Sequence, residues 1–67
     1  MIEVKINGEK REIANKLSLT ELLENLSLPT ERLAIELNKE VIRKKQWNET
    51  FVAPNDVIEI IHFVGGG

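Results

Sequence analysis

The residues with the clearest chemical potential are three consecutive glycines at the end of the chain, Gly65, Gly66 and Gly67. Glycine has no Cβ and adopts backbone angles that other residues avoid, so a glycine segment fits a narrow channel in another protein. A terminal carboxylate is ionised at neutral pH and attacks the α-phosphate of ATP when an enzyme supplies geometry and magnesium. A sulfur or amine nucleophile then displaces AMP from the acyl-adenylate. This pattern predicts a substrate and carrier; the alternative is that the glycines are an inert chain end.

The rest of the sequence offers little chemistry of its own. His62 is the single histidine and the chain has no cysteine, so it carries neither a histidine-activated thiol nor a thiolate zinc site. The glutamates show no metal-ligand spacing, and no lysine follows the glycines as it does in a phosphate-binding P-loop. We therefore predict that the chain is not an enzyme and binds no cofactor, and that partner proteins supply the catalysis.

Length, charge and hydropathy limit the class of protein. Sixty-seven residues make one small domain, which buries only about 60% of the surface that its unfolded form exposes. The net charge of −2 and the pI of about 5.3 argue against nucleic-acid binding, and the basic run 43–45 is predicted to be a solvated loop. No apolar run approaches the roughly 20 residues of a membrane helix, and residues 1–6 alternate instead of forming a signal peptide. The expectation is a cytoplasmic protein with no membrane or nucleic-acid partner.

The amino-terminal residues predict a β-hairpin. Apolar and polar residues alternate over 2–6, which is the period of a half-buried strand. Asn7-Gly8 follows and is a strong turn signal, because both residues tolerate positive φ. Lys10 to Ala14 should return as a second strand, antiparallel to the first.

A single helix is predicted to follow this hairpin. Ser18 and Glu21 have the spacing of a capping box, in which each side chain bonds an unpaired amide at the helix start. Leucines then recur at helical spacing, at positions 19, 22, 23 and 26. Pro29 should end the helix after about two and a half turns, because proline lacks an amide proton and disfavours helical angles at Leu28.

A second hairpin is predicted after the helix. Alternation over 33–37, a turn at 38–40 and a short partner strand at 41–42 indicate two antiparallel strands. Trp47 falls in a segment without a regular pattern, where we predict a structural plug under the loop instead of a binding residue.

The last strand leads directly into the glycines. Pro54-Asn55-Asp56 is a turn signal, and the strand that it precedes runs from Val57 to Phe63. The order β-β-α-β-β-β predicts an α+β fold in which a mixed sheet of four or five strands packs on one helix. Residues 1–64 would form the domain and residues 65–67 a flexible tail.

The alternation of the last strand predicts a docking surface. If Ile58 and Ile60 point to the core, Ile61 and Phe63 lie on the opposite face of the sheet, which no helix covers, because successive side chains of a strand alternate between faces. The residues assigned to that face are Val57, Glu59, Ile61 and Phe63. A contiguous exposed apolar patch near a functional end marks a protein docking site. The alternative is that Ile61 or Phe63 folds back over an edge of the core.

Several short motifs together resemble one known family. They are Arg32-Leu33-Ala34-Ile35-Glu36-Leu37-Asn38 followed by Glu40-Val41-Ile42, the pair Gln46-Trp47, Asn55-Asp56-Val57-Ile58-Glu59-Ile60, and the terminal Gly66-Gly67. With the small size and the order of elements, they make the chain similar over nearly its whole length to ThiS, the sulfur carriers of thiamine biosynthesis. The resemblance implies a ubiquitin-like β-grasp fold.

The resemblance also implies partners and reactive residues. A ubiquitin-activating-like enzyme, ThiF, uses ATP and magnesium to adenylate the terminal glycine, here Gly67. Sulfur derived from cysteine, through a sulfur-donating enzyme, converts it to a thiocarboxylate, and the thiazole synthase ThiG uses that sulfur to build the thiazole ring of thiamine. By position, Gly66 and Gly67 carry over as the reactive tail, and Ile61, Phe63 and Val64 as docking residues.

The second hairpin departs from the family pattern. Family members often have glycine or another turn former in the place of Lys39, and a proline near Arg43 where this chain has Ile42. The departures concern the geometry of a turn that lies away from the tail.

Three other functions stay open at this point. The small subunit of molybdopterin synthase shares the fold and the tail, although such chains are usually longer. A ubiquitin-like modifier would instead join lysines through Gly67. A small interaction domain with inert glycines is the third alternative.

Overall fold

The computed structural model describes residues 1–63, which form a mixed five-stranded sheet and one α-helix. The elements are β1 (Ile2–Ile6), β2 (Glu9–Ile13), α1 (Leu19–Asn25), β3 (Leu33–Leu37), β4 (Glu40–Ile42) and β5 (Val57–His62), with a short 3-10 helix (Lys44–Glu49) between β4 and β5. The strands lie in the order β2-β1-β5-β3-β4. β1 and β5 are parallel, and the other neighbouring pairs are antiparallel. The predicted order of elements and the α+β class are confirmed.

One hydrophobic core lies between α1 and the sheet. The helix contributes Leu19, Leu22 and Leu23, which are fully buried. The strands, the 3-10 helix and the loop before β5 contribute Val4, Ile6, Ile13, Leu33, Ile35, Trp47, Val52 and Ile58. Since the chain has no cysteine to form a disulfide, burial of these apolar side chains is the main source of its stability.

The start of α1 is the predicted capping box. The Glu21 N–H donates to Ser18 Oγ at 3.1 Å, and the Ser18 N–H donates to Glu21 Oε1 at 2.9 Å. These two bonds satisfy amides that have no partner inside the helix.

Within residues 1–63, no helix has the length and apolar character needed to span a membrane.

The end of α1 comes earlier than Pro29 predicts. Ser27 has a φ of 57°, and this left-handed residue reverses the backbone. The Ser27 N–H donates to the Glu24 carbonyl and the Leu28 N–H to the Leu23 carbonyl, both at 3.0 Å. This pair of bonds is a Schellman motif, so the helix is closed at Ser27 before the proline is reached.

Trp47 is a core residue, as predicted, but its segment is regular. It lies in the 3-10 helix Lys44–Glu49 and is buried, and its Nε1–H donates to the Ile42 carbonyl at 2.9 Å. A buried indole N–H without such a partner would be costly. The basic run 43–45 is exposed as predicted, although Lys44 and Lys45 belong to this helix and not to a loop.

The two hairpins share one turn geometry. Asn7 and Gly8 have φ values of 51° and 84°, and Asn38 and Lys39 have 52° and 72°. Each pair connects strands directly, because Ile6 pairs with Glu9 and Leu37 with Glu40. Two-residue loops with positive φ at both positions are the type I′ pattern. β2 therefore begins at position 9 and β4 at position 40, one residue earlier than predicted in each case.

Lys39→Gly is expected to stabilise the domain by about 0.5–1 kcal/mol. Lys39 holds a left-handed conformation that costs an L-residue about 1–2 kcal/mol, and glycine adopts it freely but loses more backbone entropy on folding. Urea denaturation followed by Trp47 fluorescence measures the change in the free energy of unfolding.

Gly8→Ala is the reciprocal control for the Lys39 prediction. A Cβ at Gly8 would meet no atom within 4 Å, so its effect reports backbone strain alone, and it should destabilise the domain. A loss of stability in Lys39→Gly would contradict the assigned turn geometry.

Candidate functional site

β5 is the last strand before the terminal glycines, and it extends beyond the end of β1, its parallel neighbour. The pairing of β1 with β5 ends at Ile6 and Ile58, whereas β5 continues to His62. On its other side β5 stays paired with β3, and the Phe63 N–H donates to the Arg32 carbonyl at 3.0 Å. Phe63 is therefore held against the β3 side of the sheet at the last described position.

The side chains of β5 alternate as predicted. Ile58 is buried and Ile60 partly buried, whereas Ile61 and Phe63 are 46% and 51% exposed. Ala34 on β3 is the cross-strand partner of Ile61. We call Ile61 and Phe63 the terminal patch. Neither residue belongs to the core or to the partly buried side chains packed against it, which argues against the alternative that one of them folds back over an edge of the core.

An acidic pair adjoins the terminal patch. Glu59 on β5 lies directly opposite Glu36 on β3, which in turn lies opposite Val41 on β4. Val41 is 66% exposed. Like charges placed opposite each other in a sheet are destabilising. The two carboxylates lie side by side next to the terminal patch, and the exposed Lys5 lies on the same face, because β1 pairs Lys5 with Val57.

Two asparagines hold β5, which sequence reasoning did not predict. The Asn7 carboxamide accepts a hydrogen bond from the Ile60 N–H at 2.7 Å and donates to the Ile60 carbonyl at 3.2 Å. Asn38 accepts from the Val57 N–H at 2.9 Å and donates to Asp56 Oδ1 at 3.0 Å. The sequence pattern indicated the turns but contained no signal for these bonds, because each joins distant parts of the chain.

The remaining predicted site residues are Val64, Gly65, Gly66 and Gly67, which lie outside the described residues. Their roles stay predictions from the sequence. Within residues 1–63, no three His, Asp or Glu side chains are grouped so as to hold a metal ion. His62 is exposed on β5.

Comparison with known proteins decides the family. The family model described as the ThiS family matches residues 4–67. The chain belongs to the ThiS family. The resemblance read from the sequence motifs is therefore confirmed, and with it the general role of a small sulfur carrier in thiamine biosynthesis.

Individual relatives agree with the family assignment. The sulfur carrier protein ThiS of Bacillus subtilis (strain 168) is 42% identical over 50 residues, covering 75% of this chain and 76% of that protein. A thiazole synthase of Paramagnetospirillum magneticum (strain ATCC 700264 / AMB-1) is 34% identical over 62 residues. That match covers 92% of this chain and only 19% of the synthase.

A solved structure confirms the fold of this ThiS-family chain. The crystal structure of the thiamine biosynthesis protein ThiS from Geobacter metallireducens superposes with a TM-score of 0.88 at 33% identity. The match covers 98% of this chain and 100% of that one. The implied ubiquitin-like β-grasp fold is thus confirmed.

Proposed function

We propose that the Gly67 carboxylate of this ThiS-family chain is adenylated and then converted to a thiocarboxylate that donates sulfur for thiazole formation. The observation that carries the proposal is the match to the ThiS family over residues 4–67, which includes the glycine tail. The exposed terminal patch immediately before the tail supports it, because an enzyme that acts on the tail must contact the surface from which the tail departs.

The proposed chemistry needs two steps at the same carboxyl group. A carboxylate oxygen of Gly67 attacks the α-phosphate of ATP, with Mg²⁺ in a ThiF-like activating enzyme, and pyrophosphate leaves. A sulfur nucleophile then attacks the acyl carbon of the adenylate, and AMP leaves with the carboxylate oxygen that attacked ATP. With sulfide as the nucleophile, the product is the thiocarboxylate, and no oxidant or reductant is consumed.

The terminal patch is proposed as the docking surface for the activating enzyme. Ile61 and Phe63 supply exposed apolar area, and the resemblance to the family adds Val64 as a further proposed docking residue. The neighbouring Glu36 and Glu59 favour a partner with a basic side chain at the rim, since opposite charges across an interface set orientation and association rate.

A ThiG-type thiazole synthase is proposed as the acceptor of the sulfur. One thiazole synthase contains a segment 34% identical to this chain, within 19% of its own length. A carrier-like segment and a synthase on one polypeptide stay at high effective concentration. That arrangement supports a functional association between this separate carrier and a separate synthase. A sulfur-donating enzyme is the third proposed partner.

Mass spectrometry tests the proposed function directly. The full chain is incubated with a ThiF-like enzyme, ATP, Mg²⁺ and sulfide, and the intact mass and carboxyl-terminal fragments are measured. Fragments are needed because oxidation of the single methionine, Met1, nearly equals an oxygen-to-sulfur exchange in mass. We expect a shift confined to Gly67 that requires ATP.

Two results would contradict the proposed function. An unchanged tail, with an enzyme shown to be active on another carrier, would indicate an inert chain end. A lysine-linked adduct formed through Gly67 would instead indicate a protein modifier.

Phe63→Ala is expected to raise the KM of the activating enzyme for the carrier by about tenfold. Aromatic residues in an interface contribute disproportionately to binding, and a tenfold change corresponds to about 1.4 kcal/mol. Steady-state adenylation, followed by pyrophosphate release at several carrier concentrations, measures KM and kcat.

Phe51→Ala is the matched control for Phe63→Ala. The chain has two phenylalanines, and Phe51 is 57% exposed, close to the 51% of Phe63. Phe51 lies outside β5 and pairs with Ser18. Equal KM values for the two variants would show that exposed aromatic area in general, and not the terminal patch, governs docking.

A further inference from the structure

We infer that Asn7 is a positioning residue for the reaction at the carboxyl terminus. Its carboxamide bonds β5 at Ile60 and thereby fixes the position of the strand segment that contains the terminal patch. The inference rests on the proposed function of Gly67, because it concerns how that residue is presented to the activating enzyme.

The Asn7 side chain continues the β1–β5 ladder after the β1 backbone has turned away. The backbone N–H of Asn7 donates to the Ile58 carbonyl at 2.9 Å. With φ at 51°, the main chain then enters the hairpin. The carboxamide bonds both the N–H and the carbonyl of Ile60, at 2.7 Å and 3.2 Å. It thus replaces the peptide group that a longer β1 would supply.

This replacement matters because, beyond the end of β1, β5 has a neighbouring strand on one side and not on the other. The β3 side remains paired up to His62, and the Phe63 N–H reaches the Arg32 carbonyl at 3.0 Å. On the β1 side, the Asn7 carboxamide bonds β5 beyond Ile58. Without it, β5 would be bonded along the β3 edge alone from Glu59 onward, and the positions of Ile61 and Phe63 would be less well defined.

Asn38 provides a matched comparison within the same molecule. It occupies the same position of the second turn, has nearly the same φ of 52°, and bonds the other end of β5 through the Val57 N–H at 2.9 Å. Both asparagines therefore join a type I′ turn to β5. They differ in that Asn7 acts next to the terminal patch, whereas Asn38 acts at the beginning of the strand.

Asn7→Gly and Asn38→Gly separate positioning from general stability. Glycine keeps the positive φ that each turn requires, but removes the carboxamide. We expect both variants to lose stability. We expect Asn7→Gly alone to raise the KM for the carrier in adenylation, by about fivefold to tenfold, with little change in kcat. Each lost hydrogen bond is worth about 0.5–1.5 kcal/mol, and a tenfold change in an equilibrium constant corresponds to about 1.4 kcal/mol.

Amide hydrogen exchange gives a readout that does not depend on the enzyme. The Phe63 N–H is bonded to Arg32 and not to Asn7, so its exchange rate reports the order of the strand end. We expect it to exchange about tenfold faster in Asn7→Gly than in the wild type, and to be nearly unchanged in Asn38→Gly. Asn7→Asp, which keeps the acceptor for the Ile60 N–H, should give intermediate KM and exchange values.

The outcomes distinguish this inference from the proposed function. If Asn7→Gly matches Asn38→Gly in KM and in Phe63 exchange, Asn7 is only a turn residue and the inference is wrong. If a competent enzyme leaves the wild type unadenylated, the proposed function fails, and the exchange comparison alone decides whether Asn7 holds the strand. If Asn7→Gly does not fold, the comparison of Asn7→Asp with the wild type takes its place.

Discussion

Deletion of Gly67 is expected to reduce adenylation by at least about 100-fold while leaving the free energy of unfolding unchanged. The deletion draws the terminal carboxylate back by one residue, or about 3.3 Å, and a displacement of even 1 Å at a reacting group costs about 100-fold in rate. Stability should not change, because the buried apolar residues of the described chain lie between Val4 and Ile58. Single-turnover adenylation and urea denaturation measure the two quantities.

Gly67→Ala tests the channel part of the same proposal. It keeps the length of the chain and adds a Cβ where a narrow channel has no room for one. Adenylation should slow, although less than after the deletion, and folding should be intact. Equal rates for the wild type and Gly67→Ala would count against a narrow channel. An equal rate for the shortened chain would count against Gly67 as the reacting residue.

The elements that the sequence predicts well are those set by neighbouring residues. The capping box at Ser18 and Glu21 depends on bonds across three positions, and both bonds form. Alternation with period two places Ile58 inside and Ile61 outside, because successive side chains of any strand point to opposite faces. The exposed terminal patch was predictable for the same local reason.

Local backbone choices that oppose residue preference were harder to predict. Ser27 and Lys39 both adopt positive φ, where glycine or asparagine is the usual residue. Neither serine nor lysine signals a left-handed conformation, so the prediction placed the helix end at Pro29. For Trp47, the 3-10 helix is stabilised by burial of the indole ring and its bond to Ile42, which are tertiary contacts.

Features that depend on strand register could not be predicted from the sequence. The Glu36–Glu59 pair exists only because β3 and β5 meet in one register. The bonds from Asn7 to Ile60 likewise require β1 and β5 to be neighbours. A pattern of single-strand alternation gives the face of each side chain, but not the residue beside it. The surroundings of the terminal patch therefore needed the structure, whereas its exposure did not.

Leu22→Ala is expected to destabilise the domain by about 2–5 kcal/mol. Leu22 is fully buried on α1, and truncation there removes apolar contacts and leaves a cavity that the close-packed core fills only partly. A chain of this length is stable by roughly 3–10 kcal/mol in total, so the loss is a large share of its stability. Trp47 is buried in the same core, so its fluorescence follows unfolding in urea.

Val41→Ala is the control for this core truncation, because the side chain of Val41 is 66% exposed on β4. Its loss should be below about 1 kcal/mol, which is the full span of strand preference. A similar loss of unfolding free energy in Leu22→Ala and Val41→Ala would contradict the central place of the α1 leucines in the core. If Leu22→Ala remains folded, its adenylation KM should equal that of the wild type, because Leu22 touches the reaction only through the stability of the domain. A raised KM in folded Leu22→Ala would instead indicate that the packing of α1 affects how β5 contacts the activating enzyme.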